Sequence, residues 1–181
     1  KGQGARKALM RTPIDGALLS SGFGKRRHPV LGYNKMHRGV DFAAPQGTPI
    51  YAAGDGVVTF AGRKGGYGNY INIRHNGRYH TAYAHMKGFA RGMSRGKRVR
   101  QGEVIGYVGT TGRSTGPHLH YEILVDGGQV NPLSVRMPSG RKLTGKELAR
   151  FLAAKDQMDL QFARLDDNQK ADKQRDVADA R

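Results

Sequence analysis

From Leu9 to about Val135 the chain is a succession of short runs separated by glycine-containing turns. Examples are GALLSSGFG, GTPIYAAGDGVVTFAG, YGNYINIRHNGRYHTAYAHM, EVIGYVG and HLHYEILVDG. Ile71 and Ile73 alternate with Asn72 and Arg74 at the period of a strand. Asn76-Gly77 and Asp126-Gly127-Gly128 each separate two such runs, which is a hairpin signature. No strand–helix–strand alternation is visible, so a parallel sheet is not expected and the expected fold is mainly β.

The pattern changes at Leu143. Thr144 and Glu147 have the spacing of a capping box, and Leu148, Phe151, Leu152, Phe162 and Leu165 recur largely on one helical face. The expected organisation is a flexible basic lead-in over 1–8, a domain over 9–143, a C-terminal helix over 144–165 and a polar tail over 166–181. Phe151 and Leu152 are expected to pack on the body. The chain starts at Lys1 rather than Met, so a fragment or processed form is expected, compatible with a membrane anchor upstream.

There is no cysteine among the 181 residues, which removes disulfides, thiolate metal sites and a cysteine nucleophile together. No apolar stretch approaches the length of a membrane-spanning helix. The formal net charge is +17, and it is unevenly placed. Residues 1–143 carry 23 Lys/Arg against 6 Asp/Glu, whereas residues 144–181 carry 8 of each. A positive body attracts anionic polymers, of the cell envelope among others, or is simply a solvated face. The basic run from Lys87 to Arg100 contains Phe89 as its one aromatic residue, so stacking on nucleic-acid bases has little support. The glycine-rich run 106–116 lacks the lysine pattern of a phosphate loop.

Chemistry concentrates in the histidines. His37-Arg-Gly-Val-Asp41 places an imidazole and a carboxylate four residues apart, on one face of a strand. His118-Leu-His120 sends two imidazoles to the same face of another. An isolated HxxxD pair is more often a surface ion pair or hydrogen-bonded pair than a ligand pair. Jointly, in a cysteine-free β-rich chain, the two motifs suit zinc, which accepts nitrogen and oxygen ligands and keeps a fourth position open in catalytic sites. Spacing leaves open which of His118 and His120 binds. His28 sits in a basic loop, His75 ends a strand beside a turn, and His80 reads as structural. Asn69 and Ser114 lie in glycine-rich loops, where turn roles and groove contacts are both open.

At these residues the chain resembles the lysostaphin-type (LytM family) zinc endopeptidases. The resemblance rests on HRGVDFAAPQGTPIYAAGDGVV, YGNYINIRH, TAYAHM, VRQGEVIGYVGTTGRSTGPHLHYEI and VNPL, about residues 18–135. The lead-in LMRTPIDGALLSSGFGKRRHPVLGYNKMHRGVDFAAP is closest to the Gram-negative murein endopeptidase branch. The resemblance implies a compact antiparallel β-sheet domain and Zn²⁺ held by His37, Asp41 and His120, with His85 and His118 as catalytic histidines in a groove floored by the metal. It implies hydrolysis of peptidoglycan peptide cross-links, D-Ala to diaminopimelate, in the periplasm or cell envelope. The family also contains degenerate members that bind the wall and regulate other hydrolases, and a catalytically silent regulator is the alternative expectation. All five implied positions are intact here.

Overall fold

A computed structural model describes residues 9–27, 34–135 and 144–158. Residues 1–8, 166–181 and His28, on which expectations were placed, lie outside the described residues. Of the described residues, 9–27 and 34–135 belong to one unit and 144–158 to another.

The first unit holds twelve described strands: β1 Leu18–Ser21, β2 Gly24–Arg27, β3 Asn34–His37, β4 Val40–Ala43, β5 Pro49–Tyr51, β6 Gly56–Arg63, β7 Asn69–Arg74, β8 Tyr79–Phe89, β9 Arg98–Val99, β10 Val104–Val108, β11 His118–Val125 and β12 Gly128–Val130. A 3₁₀ turn over Gly65–Tyr67 separates β6 from β7. The main sheet runs β1-β4-β11-β8-β7-β6-β9, with β10 joining β5 and β8, and β12 joining β11. β2 and β3 make a separate hairpin. The described pairings are antiparallel, as expected from short runs joined by tight turns.

Alternation decides which face each side chain takes. On β11, Leu119, Tyr121 and Ile123 are fully buried in the core. Val40 and Phe42 of β4, Ile71 and Ile73 of β7, and Tyr83 and Met86 of β8 join them, with Ile50, Ile105 and Val108. Burying aliphatic side chains of this size stabilises by about 1.5–3 kcal/mol each. The opposite face of β11 carries His118, His120 and Glu122, beside a smaller cluster of Tyr70, Ala82 and Ala84. The core therefore sets the direction of the polar residues that carry the chemistry.

The hairpin signals divide. Val125 pairs with Gly128, and Asp126 and Gly127 both take positive φ, 50° and 84°, as a tight β11–β12 turn requires. The Asn76-Gly77 connection is longer: the Asn76 side chain accepts from Arg78 N and Tyr79 N at 2.8 and 2.9 Å, a side-chain-capped loop over 75–78.

In the second unit, residues 145–158 are helical, within the expected span. Phe151 and Leu152 were expected to be buried but are 48% and 40% exposed. An apolar stripe is buried only where a second apolar surface meets it, and spacing alone does not supply one. No described helix is long and apolar enough to cross a membrane.

Candidate metal centre

Register brings the two histidine motifs together. His120 on β11 lies directly opposite Asp41 on β4, so their side chains rise side by side from one face. His37 arrives from the end of β3. Gly39 permits this packing: a Cβ there would lie 2.5 Å from the Tyr121 carbonyl oxygen and 2.8 Å from His120 Cε1.

Three atoms converge. His37 Nε2 is 3.1 Å from Asp41 Oδ1 and 3.1 Å from His120 Nδ1, and His120 Nδ1 is 2.8 Å from Asp41 Oδ1. The other ring nitrogens are already committed. His37 Nδ1–H donates to the Gly22 carbonyl at 2.7 Å. His120 Nε2–H donates to Glu122 Oε1 at 3.0 Å. With both rings neutral, two imidazole lone pairs and a carboxylate oxygen are aimed at one another, an arrangement that either a proton or a metal ion relieves. Tetrahedral ligands about 2.0–2.1 Å from a metal lie roughly 3.3 Å apart, close to the separations found here. His37, Asp41 and His120 fit a metal ion on this ground.

Electrostatics of the metal-free cluster agree. Burial alone would raise the Asp41 carboxyl, but contacts with His120 and His37 outweigh it and hold it well below the usual carboxylate range. Burial opposes charge on His120, yet Asp41 and Glu122, one at each ring nitrogen, lift its pKa to about 9. A metal that binds here takes the place of that proton.

His118 and His85 flank the cluster. Their ring centroids are 4.7 Å apart, and His118 Nε2 lies 4.0 Å from Asp41 Oδ1. Each donates its Nδ1–H to a backbone carbonyl, His118 to Gly116 at 2.8 Å and His85 to Thr111 at 2.8 Å. Each Nε2 therefore carries a lone pair. Burial pushes the His85 pKa down, with the neighbouring His118 and His120 adding to the effect against the Thr111 hydrogen bond.

His85 reaches this position through a break in β8. Tyr79–Ala84 pair with β11, whereas Met86–Phe89 pair with β10. His85 sits at the change of partner with φ 59°, a left-handed conformation uncommon for a residue with a side chain. Bulges of this kind re-aim side chains beside active sites.

Residues 35–132 match Peptidase family M23. The chain belongs to this family. Among M23 relatives it is 52% identical to the DD-carboxypeptidase/endopeptidase Mpg of Neisseria meningitidis, over 84% of this chain and 35% of that protein. It is 49% identical to the peptidoglycan DD-endopeptidase ShyC of Vibrio cholerae, over 87% of this chain and 36% of that protein. The chain thus spans about a third of the length of these relatives. A solved zinc-containing peptidase from Vibrio cholerae superposes with a TM-score of 0.69 at 41% identity, covering 73% of this chain and 41% of that one.

The M23 geometry also contains residues the sequence reading passed over. Glu122 is 2% exposed and accepts from both His120 Nε2 and the Tyr67 hydroxyl, the latter at 2.9 Å. The signal was present: alternation in HLHYE puts Glu122 on the face of His118 and His120. Tyr67 carried no such signal, because it arrives from the 3₁₀ turn and lies 5.8 Å, ring to ring, from His120. Ser114 contacts His118 Nδ1 at 3.2 Å, so it belongs to the site. Asn69 does not touch the histidines: its side-chain amide donates to the Met86 and Lys87 carbonyls. His75 and His80 also lie apart, on Asp55, Thr81 and Asn72.

Proposed function

We propose that this chain is the zinc-dependent catalytic part of an endopeptidase that hydrolyses peptide cross-links of bacterial peptidoglycan, at the D-Ala to diaminopimelate bond. The observation that carries the reading is the pair of imidazoles, His85 and His118, each anchored through Nδ1 to a backbone carbonyl, set beside a three-ligand cation site. Support for the substrate comes from the names of the M23 relatives, two of which are described as DD-endopeptidases or their dual-function counterparts. An envelope location, periplasmic in a Gram-negative cell, follows from that substrate.

His37, Asp41 and His120 would hold the zinc. When bound, zinc supplies a Lewis acid and lowers the pKa of water from about 15.7 to about 7. The chain's own residues do the rest. His37 and His120 are fixed in the tautomers that present lone pairs, by Gly22 and Glu122. His118 and His85 take up a proton from the attacking water at Nε2 and return it to the leaving amine. In the protonated form they also face the oxyanion that develops on the scissile carbonyl. General acid–base catalysis of this kind contributes about 10²–10⁴-fold.

The alternative, a silent wall-binding regulator, is disfavoured by an intact ligand set and two intact flanking histidines. Digestion of purified sacculi with the chain, with products read by mass spectrometry, tests the proposal. Conversion of cross-linked dimers to monomers is expected, with His118→Ala inactive; dimers left intact by zinc-loaded chain would overturn it.

A further inference from the structure

We infer that a cleft between β6, β7 and β9 is a second, non-catalytic site on the same substrate, taking an uncross-linked stem peptide of the polymer. The inference rests on the peptidoglycan reading above. The cleft has a volume of about 790 Å³ and is bordered by Arg74, Lys97, Arg98, Arg100, Asp55 and Glu103. It is separated from the metal centre by three inter-strand steps across the sheet and several residues along β8, roughly 20 Å. A scissile bond at the metal does not reach it.

The lining is built rather than incidental. Val57 of β6 is paired with Arg74 on one side and with Arg98 on the other. Residues directly opposite in a sheet share a face, so the two arginines flank Val57 with Cα atoms about 10 Å apart. Among the described residues neither they nor Arg100 make an ion pair. The acids are engaged: both accept from backbone amides, and Glu103 Oε1 also lies 3.9 Å from Lys97 Nζ. Asp55 Oδ1 accepts from Gln101 N at 2.7 Å, and Glu103 Oε2 accepts from Arg100 N at 2.9 Å. His75 pins the cleft's wall, donating from Nδ1 to the Asp55 carbonyl at 2.8 Å and bonding Thr81 through Nε2 at 2.7 Å.

The mixture of signs selects the ligand. A phosphate polymer would meet Asp55 and Glu103 as like charges. A free stem peptide carries several carboxylates and a free ammonium, which match the separated arginines and Asp55 respectively, Glu103 being paired with Lys97. One polymer engaged at two places gains effective concentration without any new contact at the scissile bond. The relevant state of the substrate is a sacculus in which cross-linked and uncross-linked stems lie close together.

The test uses the triple variant Arg74→Ala, Arg98→Ala, Arg100→Ala, exposed positions whose loss leaves the core untouched. The probes are a soluble uncross-linked tetrapeptide, a soluble cross-linked dimer, and intact sacculi. In amide NMR the tetrapeptide is expected to shift Val57, Arg74 and Arg98 in the native chain and not the corresponding signals in the variant. The variant is expected to cleave the soluble dimer at the native rate and sacculi on the order of 10²-fold more slowly, the low end of what a linked second contact contributes. Unmoved cleft signals, or native-rate cleavage of sacculi by the variant, would overturn the inference. So would shifts caused by polyphosphate or anionic vesicles but not by the tetrapeptide. Failure of the catalytic reading shows separately, as a native chain that leaves the soluble dimer uncut.

Discussion

His120 donates its Nε2–H to Glu122 Oε1 at 3.0 Å, from two residues away on the same strand face. The carboxylate is 2% exposed and is also held by the Tyr67 hydroxyl. It sets which nitrogen of His120 faces His37 and Asp41. Glu122→Gln keeps the shape and an acceptor oxygen but removes the charge. Zinc affinity is expected to fall about 10–100-fold, the usual cost of losing such a partner, with little change in the circular dichroism. Competition with a chelator of known affinity checks it; unchanged affinity would show that Glu122 merely fills space.

Metal binding and proton transfer should separate by mutation. His120→Ala is expected to lose most of the metal, because one of three converging ligand atoms is gone. His118→Ala and His85→Ala are expected to keep it and to lose about 10²–10⁴-fold in hydrolysis. Metal content and cleavage are measured on the same preparations. An empty site in His118→Ala together with a full one in His120→Ala would reverse the two roles.

Zinc uptake should release protons. The metal-free His120 has a pKa of about 9, so at neutral pH its Nδ1 carries the proton that a metal must displace. About one proton per metal is expected at pH 7, with affinity rising about tenfold per pH unit up to roughly pH 9. Calorimetry in two buffers of different ionisation enthalpy counts the protons. No release would mean that His120 is not a ligand.

His75 should give the fold a pH dependence of its own. Burial pushes its pKa down, against the opposing pull of its hydrogen bond to the Asp55 backbone. The unfolded chain takes up this proton near pH 6.5, while the folded chain resists until lower pH. Stability from this residue is therefore complete above about pH 6.5 and declines as the pH falls below it. Urea unfolding at pH 7.5 and pH 5.5 should show a smaller difference in His75→Gln than in the native chain. An equal difference would remove His75 as a cause.

Tyr83 tests a buried hydroxyl relay in the core. Its side chain is fully buried, accepts from Ala53 N at 2.8 Å and bonds Thr81 Oγ1 at 2.9 Å. Tyr83→Phe strands the Ala53 amide in the core and should cost about 1–3 kcal/mol. The denaturant midpoint should fall with an unchanged slope; an unchanged midpoint would show that the amide finds another acceptor.

Sequence alone determined the strand character and the facing of particular side chains, because period-two alternation is a local property, and its lack of cysteine excluded thiol chemistry. It placed His118 with His120 on one face, and the same rule reaches Glu122. Resemblance, rather than spacing, distinguished the role of His118 from that of His120. What only the tertiary structure decided is register: that Asp41 stands opposite His120, and that Tyr67 comes over them from a turn 53 residues earlier in the chain than His120. Nor is the positive φ of His85 legible in YAHM, because it arises where β8 exchanges β11 for β10. The exposure of Phe151 and Leu152 has the same origin. A sequence states which face is apolar, but burial requires a partner surface, and partners are chosen by contacts between residues distant along the chain.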